Sequence, residues 1–91
     1  MNKKSFSQLK KDLKVGVKVK TVVNEIKPEF TGEIREISIV QTNAIAFKCI
    51  RNGVETNSWL WWLKAKNYEY EDNTFKCFDD NGNVLFIYEI M

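Results

Sequence analysis

Two Asn-Gly pairs, Asn52-Gly53 and Asn81-Gly82, each lie between apolar runs and constrain this chain more than any other feature. Asn-Gly supplies two consecutive residues that tolerate positive φ, which the two-residue type I′ hairpin loop requires. The second half of the chain is therefore committed to antiparallel β-structure. For the first loop the register follows by counting outward. Arg51 opposes Val54, Cys49 opposes Thr56, Phe47 opposes Ser58, Ile45 opposes Leu60 and Asn43 opposes Trp62 on one face, which reads as core. On the other face Ile50 opposes Glu55, Lys48 opposes Asn57, Ala46 opposes Trp59 and Ala44 opposes Trp61. The second loop places Phe75, Cys77, Val84, Phe86, Tyr88 and Ile90 on one face, with Lys76 and Glu89 on the other.

The first half reads as a helix and then strands. Ser5 and Gln8 have the spacing of a capping box. Phe6, Leu9 and Leu13 recur at helical spacing, so a helix is expected over about residues 6–14, closed by Gly16. Val17, Val19, Thr21 and Val23 then alternate with Lys18, Lys20 and Val22, the pattern of a half-buried strand over about 17–25. Ile34, Ile37 and Ile39 mark another strand whose alternation slips across Arg35-Glu36, where a β-bulge is expected. A short strand from Tyr68 to Glu71 and a turn at Asp72-Asn73 complete the pass. The expected fold is mainly β (α+β): one short N-terminal helix, then an antiparallel meander of six or seven strands over about 17–91. It forms a partly closed SH3-like barrel or a curled sheet within one domain, 1–91.

Composition bounds the function. Hydrophobic residues at 44% and aromatics at 13% support a core without metal or disulfides. The chain has no histidine, so the commonest proton-transfer group and zinc ligand is missing. Cys49 and Cys77 stand far apart, outside any C-x-x-C spacing, and both point inward in the registers above, where thiols act as small hydrophobes. The acidic pairs Glu71-Asp72 and Asp79-Asp80 lie in or beside turns and bond local backbone. The Asp79-Asn81-Gly82 segment lacks the remaining acids of a calcium loop, and the four glycines never cluster into a phosphate-binding motif. These observations argue for a non-enzymatic protein that needs no cofactor and no metal. No apolar run is long enough to span a bilayer and the Lys-rich start lacks a secretory signal, so a cytoplasmic location without membrane contact is expected.

Charge is divided unevenly. Through Pro28 eight lysines stand against Asp12 and Glu25, whereas from Glu29 onward six basic residues face ten acidic ones. All three tryptophans fall in Trp59-Leu60-Trp61-Trp62. Strand alternation sends Leu60 and Trp62 to one side and Trp59 and Trp61 to the other. Indoles on a strand beside a basic flank suit single-stranded nucleic acid, with bases stacking on Trp59 and Trp61 while Lys10, Lys11, Lys14, Lys18 and Lys20 follow the phosphates. The competing functional reading is protein–protein interaction or self-assembly into a homo-oligomer, with the indoles as interface anchors. A purely structural reading seats the helix stripe of Phe6, Leu9 and Leu13 on an indole shelf over Ala44 and Ala46.

The F-x-x-L-K-K-D-L-K-V-G opening from Phe6 to Gly16, the T-G-E-I-R-E-I segment from Thr31 to Ile37 and the tryptophan-rich strand resemble small uncharacterised proteins encoded by prophages and mobile elements of Gram-positive bacteria. The succession of short strands also resembles SH3-like barrels. The resemblance implies an accessory role and identifies no site residues.

Overall fold

The computed structural model describes residues 3–91. Its elements are β1 (Lys3–Lys4), α1 (Phe6–Asp12), β2 (Lys18–Asn24), β3 (Ile34–Val40), β4 (Ala44–Arg51), β5 (Val54–Trp61), β6 (Tyr68–Glu71), β7 (Thr74–Phe78) and β8 (Val84–Ile90). All strand pairings are antiparallel, and the eight strands form one curled, unclosed sheet in the order β1-β6-β7-β8-β2-β3-β4-β5. Two meanders, β2 to β5 and β6 to β8, are thus joined where β8 pairs back onto β2. β1 and β5 are the outermost strands.

The first hairpin has the register that its loop dictates, from Arg51 opposite Val54 to Ala44 opposite Trp61. Asn52 and Gly53 sit at φ 52° and 76°, as type I′ geometry requires. The Trp62 N–H donates to the Asn43 carbonyl at 2.9 Å and carries the same alternation one step beyond the strand. The second hairpin also keeps its expected register over Thr74–Cys77, with Cys77 opposite Phe86 and Phe75 opposite Tyr88. Its loop is longer than two residues, because the Asp79 N–H donates to the Asn83 carbonyl and Phe78 pairs with Val84. The extra residue is Leu85, and it, rather than Val84, packs against the core.

The expected bulge at Arg35-Glu36 is absent. There β3 runs in regular register with β2, Arg35 opposite Val19 and Glu36 opposite Lys18. The irregularity lies between Ile37 and Ile39 instead, against β4, and a second lies at Val22 of β2, against β8. Bulges bend and over-twist a strand, and these help to curl the sheet.

Leu9, Leu13, Val19, Ile37, Ile45, Phe47, Phe75 and Cys77 form the centre of the core, on the concave face. Burying Leu9 or Phe75 completely contributes roughly 1.5–3 kcal/mol each. Cys77 is buried as expected, whereas Cys49, nearer the hairpin tip, is only half-buried. The helix is shorter than expected: the Leu13 N–H closes it on the Leu9 carbonyl at 3.1 Å, and Lys14 lies outside. Its cap is half of a capping box. Ser5 Oγ accepts from the Gln8 N–H, but the Gln8 amide turns away to donate to Asp12 at 2.8 Å.

The helix does not sit on the Trp59–Trp61 side. Leu9 and Leu13 enter the concave core, and Phe6 stacks on Tyr68 at 4.8 Å between ring centres and meets Trp62 edge-on at 5.5 Å. Trp62 faces the core with Leu60, so it is the inward tryptophan that receives the helix. The shelf over Ala44 and Ala46 lies on the opposite face of the sheet.

Candidate interaction surface

Alternation along β5 fixes the site. With Leu60 packed against the core, Trp59 and Trp61 project from the convex face, 41% and 63% exposed. They stand across from Ala46 and Ala44, whose side chains are fully buried. A methyl group opposite an indole leaves room for the ring to lie along the sheet. The two rings are nearly parallel, 25° apart, with centres separated by 6.1 Å, and so form one apolar platform.

The backbone beside the platform is as informative as the rings. In an antiparallel pair the residues whose N–H and C=O groups face the partner strand alternate with those whose groups face away. The two-residue turn and the Trp62-to-Asn43 bond assign Val54, Thr56, Ser58, Leu60 and Trp62 to the side facing β4. The N–H and C=O groups of Glu55, Asn57, Trp59 and Trp61 therefore point outward along the sheet edge. This edge is eight residues long, carries no proline and one charged side chain, Glu55, and pairs only with β4 among the described residues. The opposite edge is handled differently: β1 is two exposed lysines, the short and charged design that discourages further pairing.

The five lysines expected to accompany the indoles are not gathered around them. Lys18 and Lys20 lie on the convex face of β2, exposed, but two strands lie between them and β5. Lys18 stands opposite Glu36, and Lys20 stands opposite Ile34 on one side and Glu89 on the other. Between β2 and β5 the Lys48 ammonium is bound to Glu36 at 3.0 Å, and this carboxylate raises the lysine pKa. Next to it Ser38 donates to Asn57 Oδ1 at 2.8 Å. Lys10, Lys11 and Lys14 belong to the helix and its exit, behind the sheet. Lys10 reaches the rim, where its ammonium donates to the Thr42 carbonyl at 2.8 Å and lies 5.7 Å from the Phe6 ring centre. Lys11 and Lys14 are exposed.

Sequence reading missed two other recesses. Arg35 turns into the open end of the curl, where its guanidinium lies 4.2 Å from the Phe30 ring centre and is bound to Glu33 at 2.7 Å. Phe47, Ser58, Leu60 and Tyr88 join it around a recess of about 160 Å³. A charged residue between Ile34 and Glu36 gives no sequence signal of an inward side chain. A larger cleft of about 450 Å³ lies beside β1 and β6, lined by Lys3, Lys4, Tyr70, Glu71 and Lys76 among others. Glu71 Oε1 is buried there without a hydrogen-bond partner. The Asp79 carboxylate accepts from the Asn81 and Asn83 N–H groups and holds its pKa below the ordinary value, the local backbone role expected of it.

Among the described residues no group of three or more Cys, Asp or Glu is arranged to hold a metal, and no helix is long and apolar enough to cross a membrane. Comparison of the chain with known protein families, curated proteins and solved structures finds no match.

Proposed function

We propose that this chain is a non-enzymatic protein-interaction module whose binding surface is the outer edge of β5 together with the Trp59–Trp61 platform. The observation that carries the reading is the coincidence of the two. The residues whose backbone groups face outward, Glu55, Asn57, Trp59 and Trp61, are the same residues whose side chains occupy the convex face. An extended partner strand that satisfies the edge by main-chain hydrogen bonds also lays alternate side chains against the indoles, the arrangement of strand-addition binding. Tryptophans are favoured interface anchors because a large apolar area is buried at small entropic cost. An accessory protein of a prophage or mobile element is the setting that the sequence resemblance suggests.

Nucleic-acid binding is the second reading, supported by the exposed parallel indoles and by Lys18 and Lys20 on the same face. It ranks below the first because the Lys48–Glu36 pair lies between those lysines and the rings, and the helix lysines lie behind the sheet. Titration of tryptophan fluorescence separates the readings. An extended peptide selected by display against the chain is expected to shift the emission to the same extent at about 50 mM and about 200 mM salt, because few counterions are released. Saturable quenching by short single-stranded DNA or RNA that fades over the same range transfers the function to nucleic acid.

A further inference from the structure

We infer that the occupant of the β5 edge is a second copy of this chain, paired antiparallel to β5 across a two-fold axis; the inference rests on the interaction reading above. An antiparallel strand edge is complementary to itself, since each outward residue offers one donor and one acceptor in the order that an identical inverted strand requires. The register follows from length and charge. A two-fold axis at Ser58, the register of longest overlap, sets Asn57 opposite Trp59 of the second copy and Glu55 opposite its Trp61, and leaves no outward backbone group of the edge unpaired. It also keeps the two Glu55 carboxylates at opposite ends of the joint, so no like charges face each other across it. The chain's net charge of +2 adds little repulsion between copies.

The joint is modest in area. Edge pairing leaves the convex face open, so Trp59 and Trp61, 41% and 63% exposed, contribute only the flanks that meet Asn57 and Glu55 of the second copy, and the joint rests chiefly on the main-chain bonds of two eight-residue edges. The other edge of the sheet, two exposed lysines, offers no such joint. The assembly therefore closes as a dimer and does not propagate as a fibre.

The test is sedimentation equilibrium of the whole chain over a concentration series from about 10 μM to about 1 mM, the range in which a modest interface dissociates. The weight-average mass is expected to rise from 10.7 kDa toward twice that value and to change little with salt. Asn57→Pro deletes an outward N–H at the centre of the joint without touching a bond to β4, and is expected to weaken dimerisation about tenfold or more. Should the proline disturb the fold, as judged by circular dichroism, Trp61→Glu at an exposed position serves instead, with the same expectation, because it sets a carboxylate opposite Glu55 of the second copy. A chain that stays monomeric throughout overturns the inference, as does a dimer that neither variant weakens. If the monomeric chain nevertheless gains protection of the β5 amides on binding an extended peptide, only the dimer is lost and the interaction reading stands. If those amides respond to neither, both fall.

Discussion

The Tyr70 hydroxyl donates to Asp12 Oδ2 at 2.6 Å, tying the last residue of α1 to β6 across 58 positions of sequence. With Phe6 against Tyr68 and Trp62 at the other end of the helix, this bond fixes α1 on the concave side. The indole platform is left uncovered as a result. Carboxylate and phenol each perturb the other: the hydrogen bonds from Tyr70 and Gln8 hold the Asp12 pKa below its ordinary value of 3.8, and burial together with that bond pushes Tyr70 up to about 12.

Tyr70→Phe is expected to lower stability by about 1–2 kcal/mol, as befits a partly exposed hydrogen bond to a charged group, with the fold retained. The pH dependence follows from the two shifts. Tyr70 is harder to ionise folded than unfolded, so its contribution is complete below pH 10.0 and is lost as pH rises toward 12. Asp12 is easier to ionise folded, so its contribution is complete above pH 3.8 and is lost as pH falls through its lowered value. Urea unfolding of the wild type and of Tyr70→Phe across this range checks both. The difference between them should shrink at each extreme.

Replacing Trp59 or Trp61 by alanine is expected to cost no more than about 1 kcal/mol, since each ring loses one stacking partner and part of its contact with the sheet. Leu9→Ala should cost about 2–5 kcal/mol and Phe75→Ala about 3–5 kcal/mol, because both side chains are fully buried. Thermal unfolding ranks the four variants. A Trp61→Ala loss as large as that of Phe75→Ala would mean that the ring belongs to the core.

Gly53→Ala is expected to destabilise the domain by about 1–2 kcal/mol. The site has open space for a methyl group, so the cost is conformational and comes from φ +76°. Equilibrium unfolding measures it, and Asn at the same position should recover part of the loss because its short side chain tolerates the left-handed region.

The cysteines should react at different rates. Cys77 is fully buried, and burial raises its thiol pKa, whereas Cys49 is half-buried near the hairpin tip. A thiol reagent followed by mass spectrometry should modify Cys49 first, and Cys77 only on the timescale of unfolding.

Much of the β-structure was legible in the sequence because Asn-Gly loops tie register to counting. One count from Asn52-Gly53 sorts the side chains of residues 44–50 and 54–61 between the faces, and it sends Trp62 inward and Trp59 and Trp61 outward. The bulges were not legible. Ser38 and Leu85 are single extra residues inside apolar stretches, and Val84-Leu85 offers an apolar side chain to the core in either register. The seat of the helix was not legible for a related reason. A stripe of Phe6, Leu9 and Leu13 specifies that something apolar is covered, without specifying which face of the sheet supplies it. β1 has no local strand signal, being two lysines, and exists only through its pairing with β6. The basic flank suggested by lysine count dispersed for the same reason: Lys10 and Lys11 lie on a helix that packs behind the sheet and Lys14 at its exit, away from the indoles.

Residue-resolved amide hydrogen exchange tests the central claim most directly, that the β5 edge is open and is where binding occurs. In the dilute chain the Glu55, Asn57, Trp59 and Trp61 amides should exchange rapidly while those of Thr56, Ser58 and Leu60, bonded to β4, are protected. Raising the concentration, or adding a bound extended peptide, should slow the first four selectively. If the four are already protected at dilution, or stay fast while amides elsewhere on the surface slow, the edge is not the binding site and the account is contradicted.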